Sequence, residues 1–110
     1  MKFAEAHPSI LKITGTAATL HFQMACMKSQ MDTEAELASA LKHAQIAVKG
    51  FQSLSTSDSR SEVYQLLGQA AVLWSSLETE DDDAAIEAFD IGISALQNAV
   101  KLDPGILFLN

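Results

Sequence analysis

Apolar residues recur along this chain at alternating gaps of three and four positions, the spacing of one face of an α-helix. The spacing predicts four helices, at about residues 8–30, 34–54, 60–78 and 83–102. In the first helix the apolar positions are Ile10, Ile13, Ala17, Leu20, Met24, Met27 and Met31. An amphipathic helix normally turns such a stripe towards the core. We therefore expect this stripe to be buried.

The other three helices repeat the pattern. Their stripes are Leu37, Leu41, Ala44, Val48 and Phe51; Val63, Leu66, Ala70, Leu73 and Leu77; and Ile86, Phe89, Ile93, Leu96 and Val100. Small residues lie beside the last stripe, at Ala85, Ala88, Gly92, Ala95 and Ala99. Small side chains allow the backbone of a neighbouring helix to come close, so we expect a tight helix crossing there.

The predicted helix ends carry their own signals. Thr33 with Glu36 and Ser59 with Glu62 have the spacing of capping boxes. The acidic run from Asp81 to Asp83 suits the positive end of a helix dipole, and Pro104 cannot continue a helix. The serine-rich segment 53–60 is the plausible hinge between two helical hairpins.

Length and composition favour one all-α domain over residues 1–110, with hairpins at about 8–54 and 60–102. An apolar segment, residues 105–110, follows Pro104. The single cysteine, Cys26, rules out a disulfide framework within the chain, so a reducing, cytoplasmic setting is expected. We see no signal peptide and no apolar run long enough to span a membrane.

The net charge of −7 narrows the classes of partner that the chain is expected to bind. The seven basic residues are scattered and form no patch, so the chain would repel a phosphate backbone. We expect a protein or peptide partner of basic character, no nucleic acid and no membrane.

The two halves of the chain are similar to each other. Residues 15–20 match residues 68–73 at four of six positions. Ala40, Ala44, Ala47, Val48 and Leu54 align with Ala88, Gly92, Ala95, Leu96 and Leu102. Repeated helical hairpins are typical of α-solenoids.

The second half resembles a tetratricopeptide repeat. The residues that carry the resemblance are Tyr64, Leu67, Gly68 and Ala71 in one helix and Ala99, Leu102, Asp103 and Pro104 at the end of the next. Gly92 matches the helix-crossing position of the family and Leu96 the large apolar position after it. The unit is about a dozen residues longer than the usual 34, and the first half lacks the aromatic residue and the proline. The resemblance implies a module that binds a peptide or helix in a groove between hairpins.

The helices could stack as a tetratricopeptide-like array or close as a four-helix bundle, and we favour the stack. The leading hypothesis is a non-enzymatic protein-interaction or scaffold module. The alternative is a self-associating bundle, such as a homodimer, that serves as a structural or regulatory subunit. The residues proposed to meet a partner are Tyr64, Trp74, Glu80, Asp81, Asp82 and Phe108.

Catalytic and metal-binding chemistry is poorly supported by the sequence. Phosphorelay histidines are followed about one turn later by a lysine and a glycine. His21 has neither residue there, and Lys49-Gly50 comes nearly a full turn too late after His43, which makes a phosphotransfer carrier the weakest hypothesis. The acidic run at residues 78–90 lacks the central glycine of a calcium loop. The methionines near Cys26 are expected to fill the core rather than bind a soft metal. We expect no catalytic residues, cofactor or metal.

Overall fold

The computed structural model describes residues 8–31, 33–57 and 60–104, and four helices make up most of this part of the chain. They are α1 (Pro8–Ser29), α2 (Glu34–Ser55), α3 (Ser61–Leu77) and α4 (Asp82–Leu102). No strand occurs within these ranges. The all-α prediction is confirmed, and the helix ends agree with the predicted ones to within about two residues.

Side chains cap two of the helices as their sequences indicate. The Thr33 Oγ1 accepts a hydrogen bond from the Glu36 backbone N–H at 3.2 Å, at the start of α2. At the start of α4, an Asp81 carboxylate oxygen accepts from the Ala84 N–H at 3.1 Å. Helix α3 begins after Arg60, whose carbonyl accepts from the Val63 N–H at 3.1 Å. The proposed cap at Ser59 lies outside the described residues.

The helices pack in the order in which they follow one another. Helix α1 lies along α2, α2 along α3, and α3 along α4, whereas α1 meets α3 over only a few residues. Neither α1 nor α2 has an extended contact with α4 among the described residues. The α2–α3 contact therefore joins the two hairpins, and α1 and α4 each have a face with no neighbouring helix.

Small side chains dominate the core. Ten of the fifteen buried hydrophobic residues in the described ranges are alanines, and the largest side chains that are fully buried are Phe51 and Val48. Phe22, Tyr64, Leu66, Trp74 and Ile91 pack around this cluster with part of their surface in solvent. Alanine contacts allow helix backbones to approach closely, so these interfaces are tight but contain little side-chain volume.

Glycines mark the points where the helices come closest. A methyl group added at Gly92 would lie 2.8 Å from the Val72 Cγ2 and 3.2 Å from the Gly68 carbonyl oxygen. In the first hairpin, a methyl group at Gly50 would lie 2.8 Å from the Ala18 Cβ. The tight crossing predicted at Gly92 is thus present between α3 and α4, and Gly50 has the same role between α2 and α1.

The prediction that the apolar stripe of α1 is buried is wrong. Ile13 is 67% exposed and Met27 66% exposed, and Leu20, Met24 and Met31 are also exposed. The side of α1 that contacts α2 instead carries buried Ala18 and Ala25. Close contact with α2 selects the small-residue side of the helix, which leaves the bulky side outside.

Helix α4 shows the same arrangement. Its buried residues are Ala88, Gly92, Ala95 and Ala99, while Ile86 is 60% and Phe89 49% exposed. Ile93 is exposed as well. The stripes of large residues on α1 and α4 therefore form two outward apolar faces. We call them the α1 face (Ile13, Leu20, Met24 and Met27, with Met31 just past the end of the helix) and the α4 face (Ile86, Phe89 and Ile93).

Candidate interaction groove and histidine pair

An open groove lies between the two hairpins, with α2 on one side, α4 on the other and α3 beneath. Its volume is about 600 Å³. The residues that line it are Gln52, Ser55, Tyr64, Leu67, Asp83, Ile86, Glu87, Asp90, Ile91, Ser94, Ala95 and Asn98. We call it the α2–α4 groove. It has the size of a small ligand pocket, but it is open to solvent rather than enclosed.

The α2–α4 groove combines apolar and acidic surface. Tyr64, Leu67 and Ile91 are part of the core packing and supply apolar surface. Asp83, Glu87 and Asp90 are exposed and lie along one side of α4, at successive positions about one turn apart. Among the residues that the structure describes, no basic side chain lines this groove. The surface thus offers apolar contact beside a row of negative charge.

A second groove lies on the other side of the hairpin junction, between α1 and α3. Its volume is about 620 Å³, and Phe51, Leu54, Val63 and Leu66 give it an apolar lining. Its charged residues are of both signs: Lys12, Arg60 and Glu62. Because both signs of charge are present, this groove favours neither a basic nor an acidic partner, in contrast to the α2–α4 groove.

The proposed partner-binding residues do not form one site. Tyr64 lines the α2–α4 groove. Trp74 is part of the core packing, and its indole Nε1 is buried with no hydrogen-bond partner. Glu80, Asp81 and Asp82 are exposed around the start of α4 and do not line this groove. Phe108 lies outside the described residues.

The acidic residues that line the groove belong to the acidic run at residues 78–90 but lie outside the predicted partner set of Glu80, Asp81 and Asp82. Asp83, Glu87 and Asp90 follow the acidic turn within α4, at helical spacing. That spacing places them on one side of a helix, which was the available signal. The neighbouring Asp81 instead caps α4.

His21 and His43 meet at the contact between α1 and α2. The distance between their Nδ1 atoms is 2.8 Å, that of a hydrogen bond. Burial lowers the pKa of His43, and the electrostatic influence of His21 and Lys28 acts in the same direction. Lys28 itself pairs with Glu36 at 3.1 Å across the same two helices.

The positions of the two histidines in the sequence contain a signal for this contact. Each stands eleven residues from Asp32, one before it and one after it. In an antiparallel hairpin that turns near Asp32, residues at equal distances from the turn lie opposite each other. The contact could therefore have been predicted from the turn position.

The other candidate chemistry is not assembled into a larger site. No group of three or more His, Cys, Asp or Glu side chains suited to a metal ion occurs in the described residues. Burial raises the pKa of the half-buried Cys26 thiol. The prediction that Met24, Met27 and Met31 fill the core is wrong, because all three are exposed on the α1 face.

Comparisons with known proteins do not assign this chain to a group. No family of known proteins matches it, and neither the curated proteins nor the solved structures contain a significant match. None of the helices in the described part of the chain is long and apolar enough to cross a membrane.

Proposed function

We propose that this chain is a non-enzymatic interaction module that holds a basic peptide or helix in the α2–α4 groove. The observation that carries the proposal is the acidic row of Asp83, Glu87 and Asp90 beside the apolar surface of Tyr64 and Ile91. A helix that binds in a groove presents apolar anchor residues at helical spacing. Charged residues around the groove then determine which helices bind. Here the anchors would contact the apolar surface and lysine or arginine would face the acidic row.

Electrostatics favours a basic partner both at long range and within the groove. The net charge of −7 attracts a basic segment from a distance. Within the groove, the acidic row lies on the α4 side only, so it also determines which side of a basic segment faces α4. Exposed charge pairs contribute chiefly to specificity and association rate, whereas contact with Tyr64, Ile86 and Ile91 would contribute most of the affinity.

The fold proposed for this module is a tetratricopeptide-like stack. Two observations support it. The two hairpins pack against each other through the contact between α2 and α3, and α4 crosses α3 where Gly92 approaches Gly68. We further propose a reducing, cytoplasmic setting, since the chain has one cysteine only.

The test selects ligands for the groove without assuming a sequence. A library of random peptides displayed on phage is selected on the purified chain, and the binding of selected peptides is measured by fluorescence anisotropy. We expect peptides rich in lysine or arginine with spaced apolar residues. The double variant Glu87→Lys, Asp90→Lys should weaken their binding at least about tenfold, equivalent to about 1.4 kcal/mol.

The matched control is Glu34→Lys, Glu80→Lys, which changes the net charge equally at exposed positions outside this groove. It should lower the association rate slightly and leave the dissociation rate unchanged. Equal loss of binding in the two double variants would refute the groove as the site. Selected peptides without basic character would refute the proposed partner.

A second candidate function, self-association, is favoured by the α1 face and the α4 face. Monomeric proteins rarely expose large continuous apolar surface without a binding role. If one of these faces joins two copies, sedimentation velocity will show a dimer whose population rises with concentration. Phe89→Ser should abolish the dimer if the α4 face is used, and Met27→Ser should do so if the α1 face is used. A monomer at all concentrations excludes this candidate.

A further inference from the structure

His21 and His43 face each other through their Nδ1 atoms. These nitrogens are 2.8 Å apart, while the ring centroids are 5.0 Å apart and the ring planes differ by 27°. The centroids are thus farther apart than the nitrogens by about two ring radii. The imidazoles meet edge to edge, and the lone-pair positions of both Nδ1 atoms point into the space between them.

The surrounding helix contact holds the two rings in place. Ala18 and Ala25 lie one turn to either side of His21, and Ala40 and Ala47 lie one turn to either side of His43; all four are buried. Alanine has no side-chain rotamers, so this part of the α1–α2 contact can adjust little. Sites on rigid helices keep their ligands in position better than sites on loops.

Two neutral imidazoles in this arrangement share one proton, which one Nδ1 donates and the other accepts. A metal cation can replace that proton. With Zn–N bonds of about 2.0–2.1 Å and tetrahedral geometry, the two nitrogens would be about 3.3 Å apart. Small rotations of the side chains provide the difference of about half an ångström.

We propose that His21 and His43 chelate a divalent transition-metal cation of the Zn²⁺ type, with water molecules as the remaining ligands. Imidazole nitrogen suits zinc, copper and nickel, whereas magnesium and calcium require oxygen ligands. The described residues offer no third His, Cys, Asp or Glu for a larger group. Both rings are half-buried, so water can reach the metal from the solvent side. The site is therefore an exchangeable one.

Metal binding would cross-link α1 to α2 and so stabilise the first hairpin. The inference goes beyond the proposed interaction module, because the α2–α4 groove contains neither histidine. Lys28 acts against the metal, since its ammonium group lies along the same helix contact, paired with Glu36. Removal of that positive charge should strengthen the binding of a cation.

The test is a titration of the full chain with Zn²⁺ at pH 7.5, followed by isothermal calorimetry. We expect one equivalent to bind. His21→Gln and His43→Gln should each weaken binding by more than the roughly 10–100-fold that loss of an outer-shell partner causes. Lys28→Gln should strengthen it. The matched control His7→Gln removes the remaining histidine, and Cys26→Ser removes the thiol; both should bind as the original chain does.

Several results would overturn the proposal: absence of binding at millimolar Zn²⁺, unchanged binding in His21→Gln and His43→Gln, or loss of binding in either control. If a histidine variant fails to fold, nuclear magnetic resonance of the original chain decides. Changes in the imidazole signals of His21 and His43 upon addition of Zn²⁺ support the site. Changes confined to His7, or no changes, refute it.

Discussion

The close crossing of α3 and α4 can be tested by adding one methyl group, with Gly92→Ala. The new Cβ would lie 2.8 Å from the Val72 Cγ2, 3.2 Å from the Gly68 carbonyl oxygen and 3.3 Å from the Val72 backbone nitrogen. Two of these three atoms belong to the backbone of α3, and valine in a helix is held largely to one rotamer. The clash can therefore be relieved only if the two helices move apart.

Two opposing effects set the magnitude. Alanine favours the helix over glycine by about 1 kcal/mol, while an extra methylene forced into a packed contact costs about 1–3 kcal/mol. Because backbone atoms form the contact, we expect a cost near 2 kcal/mol. Gly92→Ala should thus lower the free energy of unfolding by about 1 kcal/mol.

Gly15→Ala is the matched control. A methyl group at Gly15 meets only the Leu54 Cδ2, at 3.3 Å. This atom is the end of a flexible side chain that can move by a few tenths of an ångström. The helix preference of alanine should then dominate, so Gly15→Ala should leave the free energy of unfolding unchanged or raise it by up to about 1 kcal/mol.

Urea denaturation measures both variants. Trp74 is the single tryptophan and lies in the core packing, so its fluorescence reports unfolding. A loss of about 1 kcal/mol lowers the urea midpoint by roughly 0.3–1 M. The reasoning is refuted if Gly92→Ala is as stable as Gly15→Ala. In Gly92→Ala, the further change Val72→Ala should cost less than it does alone, because it also removes the 2.8 Å contact.

Three further predictions concern other contacts. Trp74→Phe should change the free energy of unfolding, measured by circular dichroism, by less than about 1 kcal/mol, because it removes a buried hydrogen-bond donor that has no partner. Trp74→Ala should cost about 3–5 kcal/mol. Equal costs for the two variants would contradict this reasoning. Asp81→Ala should cost about 1 kcal/mol through loss of the α4 cap, whereas Glu80→Ala should cost nothing measurable. Burial raises the pKa of the Cys26 thiol in the folded chain, so the thiol of the unfolded chain loses its proton at a lower pH. The free energy of unfolding should therefore fall as the pH rises above about 8.5. At pH 8, iodoacetamide should react more slowly with the folded chain than with the unfolded chain.

The sequence was sufficient for the helices and for most of their ends. Three-four spacing depends only on local geometry, and α1 and α2 end within one residue of the predicted positions. The cap at Thr33 is equally local, because its partner is three residues away. The tight contact at Gly92 followed from the small residues around it.

The buried side of a helix was harder to predict, because it depends on the neighbour. In α1 and α4 a stripe of large residues runs beside a stripe of small ones, and either stripe could face a partner helix. The structure buries Ala18 and Ala88 and leaves Ile13 and Ile86 outside. Periodicity identifies both stripes but does not tell which of them is buried. A hydrophobicity pattern does not include the stabilisation that comes from close approach of two helix backbones.

The groove and the histidine pair depend on contacts between helices, so the sequence indicated them only in part. Tyr64 was selected as a partner residue and lines the groove. Trp74 is a predicted partner residue for the same reason, its large aromatic side chain, yet it does not line the groove. The aromatic type indicates partial burial, but only the packing of α2 against α3 determines which side chain faces a groove.

The abundance of alanine in the core has a consequence for mutational tolerance. At most of these positions the side chain is a single methyl group, so there is little left to truncate and nearly every substitution adds atoms. Cavity-forming changes, the usual cause of large stability losses, are possible mainly at the five larger buried side chains, Val48, Phe51, Leu54, Val63 and Leu67, and at Trp74. A complete substitution scan of this protein should therefore find its most sensitive positions among its smallest residues.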